Sequence, residues 1–310
     1  SRMLFRLGDV DAAHRSATAV LQLVEGLPNE TIDGVSPSQM FLTTLQLRIN
    51  LAVTLLNKGQ MQRAIALLEE NDTTPVPDSV DRRLSAEVRA ENLRTLSMVY
   101  QSSGKHDLSA ECLQRAYGYI VELLDEAEGT SPIATVKKNS ELSVAEKHRL
   151  SLVFSACRLK MSMAIDLSAM SDLMGAEAAY ETVAKQIQVV RQSQPDHPLV
   201  EQTEGMLAWH RGENYEKQEA WDQAIQHYED CRQLHLRMYR RTPQVMNLAN
   251  IYLLASLALS RSHASAGNAV QSKDVALECL ETIKEFPDAL KSTQAYRDNR
   301  QELEKFADPQ

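Results

Sequence analysis

Glycine, proline and aromatic residues are scarce in this sequence. Its 310 residues include 11 glycines and 10 prolines, and aromatic residues make up 5% of the chain. A sandwich or barrel of β-strands needs many turns and many aromatic or β-branched positions. The composition therefore argues against an all-β fold. With 43% hydrophobic and 24% charged residues, the chain can still bury a core, which excludes an intrinsically disordered protein.

Cysteine is also sparse, and its four positions lie far apart. No two cysteines form a Cys-x-x-Cys pair, which argues against a disulfide scaffold. Isolated cysteines in a chain of this size behave as small apolar residues. We predict that all four are reduced and buried, in a cytosolic or nuclear protein: Cys112, Cys157, Cys231 and Cys279.

Positive charge and long apolar segments are limited as well. The 33 Lys and Arg residues are outnumbered by 42 Asp and Glu residues, which gives a net charge of −9. A chain of this charge is not expected to coat nucleic acid. The most apolar segment, Leu248–Leu259, is shorter than the roughly 20 residues that cross a bilayer. The first residues lack the apolar stretch of a signal peptide and already have a helical pattern, so we expect a piece of a longer protein, without membrane insertion.

What the sequence does contain is apolar residues at helical spacing. Leu45, Ile49, Val53 and Leu56 lie on one side of a helix, and other segments repeat the pattern. No segment alternates with period two for long enough to predict a strand. Proline-containing breaks fall at residues 27–38, 71–80, 128–140, 194–198 and 242–243. Between these breaks we predict pairs of helices joined by short turns, with about 70% helix, well above the usual third.

A short motif recurs at the start of the second helix of each pair. A small residue is followed four positions later by a larger one, as in Ala224 and Tyr228. The small residue lets two helices cross closely, and the large one fills the gap to the next pair. We assign six small positions: Ala13, Ala64, Ser109, Ala176, Ala224 and Ala276. In this frame Ala224 is expected at a helix crossing with Gly212 facing it.

These residues resemble the tetratricopeptide repeat (TPR) family. Arg211, Gly212 and Tyr215, followed by Trp221 and Ala224, have the family's spacing. The resemblance extends over nearly the whole chain. The copies are further apart than the usual repeat of about 34 residues, as in the long-repeat relatives of kinesin light chain type. A helical bundle without repeats is the alternative.

The resemblance implies an all-α fold, a right-handed superhelical solenoid of about five to six antiparallel helix pairs. It predicts one domain over residues 1–310 that ends in a polar capping helix. The predicted parts are a partial first unit (1–26), helix-pair units at 38–71, 84–127, 142–193, 199–241 and 243–287, and the C-terminal capping helix at 288–310.

Motifs that carry chemistry are nearly absent. His227, Cys231 and His235 share one helix face at spacings of four, which is compatible with metal ligands, but Cys231 occupies a packing position of the repeat. There is no glycine-rich phosphate loop, and no local motif of a nucleophile with its base. We therefore predict no catalytic residue, no cofactor and no metal, and a protein that is not an enzyme.

The resemblance implies a concave groove lined by the first helix of each pair. Those positions include Gln46, Glu91 and Arg158, and none of the Lys and Asn pairs with which TPR co-chaperones bind a C-terminal carboxylate. We predict that the partner-binding residues are Ile49, Val53, Leu56, Arg94, Met98, Met161, Ile165, Trp209 and Glu213. Five of them are expected to form a continuous apolar strip: Ile49, Val53, Met98, Met161 and Ile165.

A Met-rich apolar strip suits an amphipathic helix or an extended hydrophobic peptide. We therefore predict a non-catalytic scaffold for protein–protein interaction, a subunit of a multiprotein complex, that binds a protein or peptide partner and no nucleic acid. The alternative is a regulatory module that senses a peptide or ligand. A third alternative is an enzyme on a helical-repeat scaffold. For the groove itself, the alternative to a partner is a loop of the chain, such as the segment 71–80.

Overall fold

A computed structural model describes residues 10–25, 36–127 and 142–308. Of these residues 85% are helical and none forms a strand, which confirms the all-α prediction. The predicted break at 128–140, most of the break at 27–38 and the side chain of Ala13 lie outside the described residues. Within the same ranges no helix is both long enough and apolar enough to span a bilayer.

The helices follow one another with short connections. In chain order they are α1 (Val10–Glu25), α2 (Pro37–Asn57), α3 (Met61–Thr73), α4 (Arg82–Ser102), α5 (His106–Ala127), α6 (Val144–Ala169), α7 (Leu173–Ser193), α8 (Pro198–Lys217), α9 (Trp221–Arg241), α10 (Met246–Ser265), α11 (Ala269–Thr282), α12 (Asp288–Lys291) and α13 (Gln294–Ala307). A 3₁₀ turn at Ile283–Glu285 separates α11 from α12.

Side-chain caps determine where α2 and α6, the first helices of two pairs, begin. Ser36 accepts a hydrogen bond from the Gln39 amide at 3.2 Å, and the Gln39 side chain accepts one from the Ser36 amide at 3.3 Å. Ser143 and Glu146 make the same reciprocal pair at the start of α6. These capping boxes satisfy amides that the first helical turn leaves unpaired, so α2 and α6 begin at defined residues.

Each short turn within a helix pair contains a residue in the left-handed backbone region. Gly59, Gly104 and Gly267 have φ values of 71°, 69° and 80°, while Ser171 and Glu219 have values of 68° and 57°. Glycine adopts this region without a steric cost because it has no Cβ. Ser171 and Glu219 carry that cost, so their turns are less favourable than the three glycine turns.

Hydrogen bonds close these turns onto the preceding helix. The Gln60 amide donates to the Leu55 carbonyl at 2.9 Å, and the Ala220 amide donates to the Tyr215 carbonyl at 3.0 Å. Such bonds satisfy carbonyls at the end of the first helix. The chain therefore reverses within a few residues, and the second helix starts beside the first.

The turn geometry corrects one assignment of the repeat. The small residue lies five positions after the left-handed residue in four turns, at Ala64, Ser109, Ala176 and Ala224. Counted in the same way from Gly267, the sixth copy has Ser272, not Ala276. Ser272 is buried, and its hydroxyl donates to the Ser260 carbonyl at 2.8 Å. Ala276, one turn later, is also fully buried, and both residues are small, so only the turn distinguishes the two positions.

The chain divides into two compact units. Unit 1 comprises residues 1–132 and 143–170, and unit 2 comprises residues 133–142 and 171–310. Unit 1 thus contains α1 to α6, and unit 2 contains α7 to α13. The predicted single domain and its boundaries stay a prediction.

Unit 1 is built on one apolar core with a buried amide pair at its centre. Asn71 donates to the Asn92 side-chain oxygen and to the Leu45 carbonyl, both at 3.0 Å, and Asn92 donates to the Leu68 carbonyl at 2.9 Å. Leu68 is fully buried, and the exposed fractions of Asn71 and Asn92 are 2% and 3%. Because buried amides are costly unless they are paired, these bonds fix how α2, α3 and α4 meet.

Unit 2 contains an aromatic cluster near its C-terminal end. Tyr239, Tyr252 and Phe286 meet edge to face, with ring centroids 5.0 Å and 6.0 Å apart. The helix α13 covers this core with the buried side chains of Tyr296 and Leu303. The polar C-terminal segment therefore contributes apolar residues on one face only.

One close helix contact of unit 2 involves a glycine. A Cβ on Gly212 of α8 would lie 2.7 Å from ring atoms of Tyr228 on α9. Gly212 therefore faces the Tyr228 ring, and its predicted contact with Ala224 stays a prediction. Ala224 is fully buried in the same cluster, beside Ala258 and Leu259.

This contact predicts opposite effects for two glycine-to-alanine substitutions. Gly212→Ala overpacks Tyr228 and should lower the free energy of unfolding by about 1–3 kcal/mol. Gly118→Ala on α5 is the control, since nothing lies within 4 Å of its Cβ position, and it should gain up to about 1 kcal/mol. Urea unfolding followed by circular dichroism measures both. Equal signs for the two variants would contradict the Gly212–Tyr228 contact.

Candidate functional site

Unit 1 has an open cavity on the side that the first helices present. It has a volume of about 210 Å³ and lies between α4 and α6, with Ile120 of α5 at its base and Gln46 of α2 at its edge. Its other lining residues are Glu87, Val88, Ala90, Glu91 and Arg94 from α4, and Ser151, Leu152, Ser155, Arg158 and Leu159 from α6. The cavity exists because α5 packs against both helices and leaves a gap between them.

The α4 side of the cavity has a charged pair at its centre. Arg94 donates from Nε and Nη2 to the two carboxylate oxygens of Glu91, at 2.9 Å and 2.8 Å. Its Nη1 lies 3.3 Å from the sulfur of Met98, one turn further along. Burial and the Glu91 hydrogen bond act in opposite directions on the guanidinium, but the hydrogen bond is the larger effect and raises the pKa of Arg94.

The α6 side presents a second arginine. Arg158 donates from Nη2 to the Ser155 hydroxyl at 3.3 Å. Burial, followed by the positive charge of Arg94, lowers the pKa of Arg158 below that of an ordinary arginine. Two guanidinium groups of opposite pKa shift therefore face one cavity.

The predicted apolar strip is not continuous in the structure. Ile49 is 1% exposed and packs in the core that also contains Leu21 of α1, and Met161 is 7% exposed. Val53 and Ile165 are half-buried, and Met98 alone is exposed, at 42%. Helical spacing predicts which side of a helix faces inwards, but not how deeply each side chain is buried. Ile49 is buried because it packs in a core to which α1 and other helices contribute.

Of the nine predicted groove residues, the structure places Arg94 at the cavity and Met98 beside it. Leu56 is half-buried and packs against the unit 1 core. Trp209 and Glu213 belong to unit 2. The Trp209 ring lies 5.5 Å from that of Tyr228, and Glu213 pairs with His210 at 2.8 Å. As binding residues, all nine stay a prediction.

Several polar residues around the cavity were absent from the predicted binding set. Gln46, Glu91 and Arg158 occupy first-helix positions on the predicted inner face. They were not included in the predicted binding set because we expected an apolar strip. Glu87, Ser151 and Ser155 continue the same faces at helical spacing, one or two turns away. Extension of the inner-face positions towards the start of α4 and α6 would have found them.

Unit 2 has a cavity of about 350 Å³ between α7, α8 and α9. Three arginines reach it. Arg191 pairs with Glu204, Arg211 pairs with Glu177, and Arg237 lies near Glu204. The acidic and basic groups therefore largely balance. Leu207 and Ala208 of α8 and Leu234 of α9 form its apolar part.

The three residues with metal-ligand spacing do not form a metal site. The His227 ring stacks on Tyr215 with centroids 5.4 Å apart, while the His235 Nδ1 donates to the Cys231 carbonyl at 2.9 Å. Burial raises the pKa of the Cys231 thiol to about 12. Over the described residues no group of three His, Cys, Asp or Glu side chains could hold a metal ion. All four cysteines are free and buried, as predicted.

His227 predicts a loss of stability in acid. Burial, and then the charge of Arg211, lowers the pKa of His227 from 6.5 to about 4. Between pH 6.5 and about 4, His227 is protonated in the unfolded chain and neutral in the folded chain. The free energy of unfolding is therefore highest above pH 6.5 and decreases as the pH falls towards 4. We expect His227→Gln to remove about 1–2 kcal/mol of that loss. Urea unfolding at pH 7 and pH 4.5 measures it, with His148→Gln as control. An unchanged pH dependence in His227→Gln would contradict the buried neutral imidazole.

Comparison with solved structures finds TPR-like repeat proteins. BtubC (BKLC) from P. vanneervenii matches with a TM-score of 0.59 and 14% identity, over 92% of this chain and 93% of that one. Nearly identical TPR-like repeats, described as those of a kinesin light chain from Podospora anserina, match with a TM-score of 0.50 and 16% identity, over 78% of this chain and 96% of theirs. Identities this low show the fold alone.

The chain thus has a TPR-like repeat fold, which confirms the predicted resemblance at the level of the fold. Folds of this type are generally scaffolds for protein interaction. No family profile and no curated protein matches the sequence.

Proposed function

We propose that this protein is a non-catalytic interaction scaffold that holds a segment of a partner protein on the first-helix side of unit 1. The observation that carries the proposal is the open cavity between α4 and α6, with the exposed Met98 one turn beyond Arg94. An apolar thioether next to a charged cavity suits a peptide with both apolar and polar side chains.

The size of the cavity favours a side chain of a larger partner. Small-molecule and cofactor sites have volumes of about 300–1,000 Å³, and this cavity is smaller, at about 210 Å³. Its walls are helices whose other faces are buried in the unit 1 core. Binding would therefore order mainly the partner and cost the scaffold little entropy.

The wider role follows from the fold and the composition. A TPR-like repeat scaffold fits a subunit of a multiprotein complex. The net charge of −9 supports a protein partner over nucleic acid, and four free, buried cysteines support a cytosolic or nuclear location.

A photo-crosslinking amino acid at position 98 tests the partner site. In cells that express the full-length protein, we expect position 98 to capture one recurrent peptide, identified by mass spectrometry. Met98→Glu should then weaken capture at least about tenfold, because a charge in a desolvated contact costs more than about 1.4 kcal/mol. The helix should not change, since Met98 is exposed.

Val189 on α7 provides the matched control. It is 66% exposed, so Val189→Glu makes the same kind of change on another helix surface. The control variant should bind the partner at the parent affinity. If Met98→Glu binds as well as Val189→Glu, the partner does not dock beside the α4–α6 cavity.

A further inference from the structure

Unit 2 has another cavity near its C-terminal end, where the chain turns from α11 into α13. Its volume of about 340 Å³ falls in the range of small-molecule sites, about 300–1,000 Å³. Three pieces of chain contribute to its walls: the end of α11 with its 3₁₀ turn, then α12, then α13. The lining residues are Leu280, Ile283, Lys284, Lys291, Tyr296, Arg300 and Glu304.

The floor of this cavity is apolar. Ile283 and Tyr296 are 2% and 3% exposed, and the half-buried Leu280 packs against the same core. The Tyr296 hydroxyl donates to the Ile283 carbonyl at 3.4 Å, so the polar group of this side chain already has a partner. A ligand with an apolar part would therefore gain by covering this floor.

Lys291 is a cation fixed above that floor. Its ammonium group donates to the Lys284 carbonyl at 2.7 Å, and its side chain is 31% exposed. The Asp288 carboxylate lies 3.7 Å from the ammonium and is fully exposed, so water screens this pair. Lys291 thus has a defined, half-buried position while little of its charge is neutralised.

Two further cations stand at the rim. Lys284 and Arg300 are 68% and 55% exposed, and each pairs with a carboxylate along its own piece of chain, Glu281 and Glu304. Exposed pairs of this kind are weak, so an incoming anion can compete for them. Three basic residues and one carboxylate line the cavity, in a chain whose net charge is −9. The local field therefore favours an anion.

The kind of cation indicates the kind of anion. A carboxylate is matched best by the planar fork of an arginine, and the Arg300 Nε already donates to Glu304 at 2.9 Å. Lysines bind phosphate as point charges, and a dianion is attracted about twice as strongly as a monoanion at the same distance. With Lys291 and Lys284 beside an apolar floor, a phosphate with an organic group fits better than a carboxylate.

We propose that this cavity binds a small organic phosphate, a phosphate monoester with an apolar group. Lys291 holds the phosphate, Lys284 and Arg300 add positive charge at the rim, and the apolar group covers Ile283 and Tyr296. Because the 3₁₀ turn, α12 and α13 all contribute, the ligand ties the C-terminal helix to the rest of unit 2. This site is independent of the proposed function, whose residues lie in unit 1.

Four probes test the two parts of the ligand. Phenyl phosphate has both parts, inorganic phosphate lacks the apolar group, phenol lacks the charge, and benzoate replaces the phosphate by a carboxylate. Each is titrated into the ¹⁵N-labelled protein at pH 7.5 and constant ionic strength, where a phosphate monoester is mainly a dianion because its second pKa is about 6. The amide signals of α12 and α13 are followed by NMR.

We expect saturable shifts of these amides with phenyl phosphate. Inorganic phosphate and benzoate should bind at least about tenfold more weakly, and phenol should cause no saturable shift. If inorganic phosphate or benzoate binds as tightly as phenyl phosphate, or if no probe shifts α12 and α13, the proposal is wrong.

Substitutions of Lys291 test the assigned cation. Lys291→Met removes the charge and keeps an apolar stem, so it should weaken phenyl phosphate binding about tenfold or more. Lys291→Arg keeps the charge and should retain most of the affinity. The melting temperature of each variant without ligand shows whether loss of the bond to the Lys284 carbonyl unfolds the chain. A folded Lys291→Met variant with the parent affinity contradicts the proposal.

Two arginines of α13 provide a matched pair that leaves Lys291 in place. Arg300 lines the cavity, whereas Arg297 does not and donates to Gln294 one turn earlier. Arg300→Gln should weaken phenyl phosphate binding about threefold or more, and Arg297→Gln should leave it unchanged. Equal affinities in these two variants would show that the phosphate is not held in this cavity.

Discussion

The close approach of consecutive helices is the constraint on which the rest of the structure depends. Within each unit it requires a small residue at a crossing, and Ala64, Ser109 and Ala224 are all fully buried. It also requires a turn that reverses the chain within a few residues, which a left-handed residue provides. A larger side chain at a crossing would push the helices apart and open the core. The faces that remain accessible, and hence the site, follow from this packing.

Two pairs of buried polar side chains link separate helices of unit 1. Asp166 is fully buried and meets His106 at 2.8 Å, and the amides of Asn71 and Asn92 bind each other. These pairs set the mutual positions of helices more strictly than apolar contacts do, because a slip by one turn would leave a polar group unpaired. Some buried polar atoms of unit 1 have no hydrogen-bond partner in the described part of the chain, among them Gln46 Nε2 at the α4–α6 cavity, Asn71 Oδ1 and Asp166 Oδ2.

The repeat was readable in sequence because packing and turn chemistry both leave a mark. Small residues at Ala64 and Ala224 with large ones four positions later predict antiparallel pairs, and the fold confirms them. The sixth copy differs from the prediction, because the register of its turn places Ser272 at the small position and its hydroxyl bonds to the Ser260 carbonyl. The contact of Gly212 with Tyr228 joins two helices, so no pattern within one helix indicates it.

The sequence by itself determined the all-α class, the helix pairs and the buried free cysteines. Periodicity and local turn geometry suffice for these features because both act over a few residues. Only the tertiary structure decided which of those residues are accessible. Ile49 became core because α1 and its neighbours cover it, whereas Arg158 faces a cavity because α4 and α6 stand apart over α5. The burial of a side chain and the cavities between helices depend on how separate helices pack, and the spacing of residues within one helix does not predict that packing.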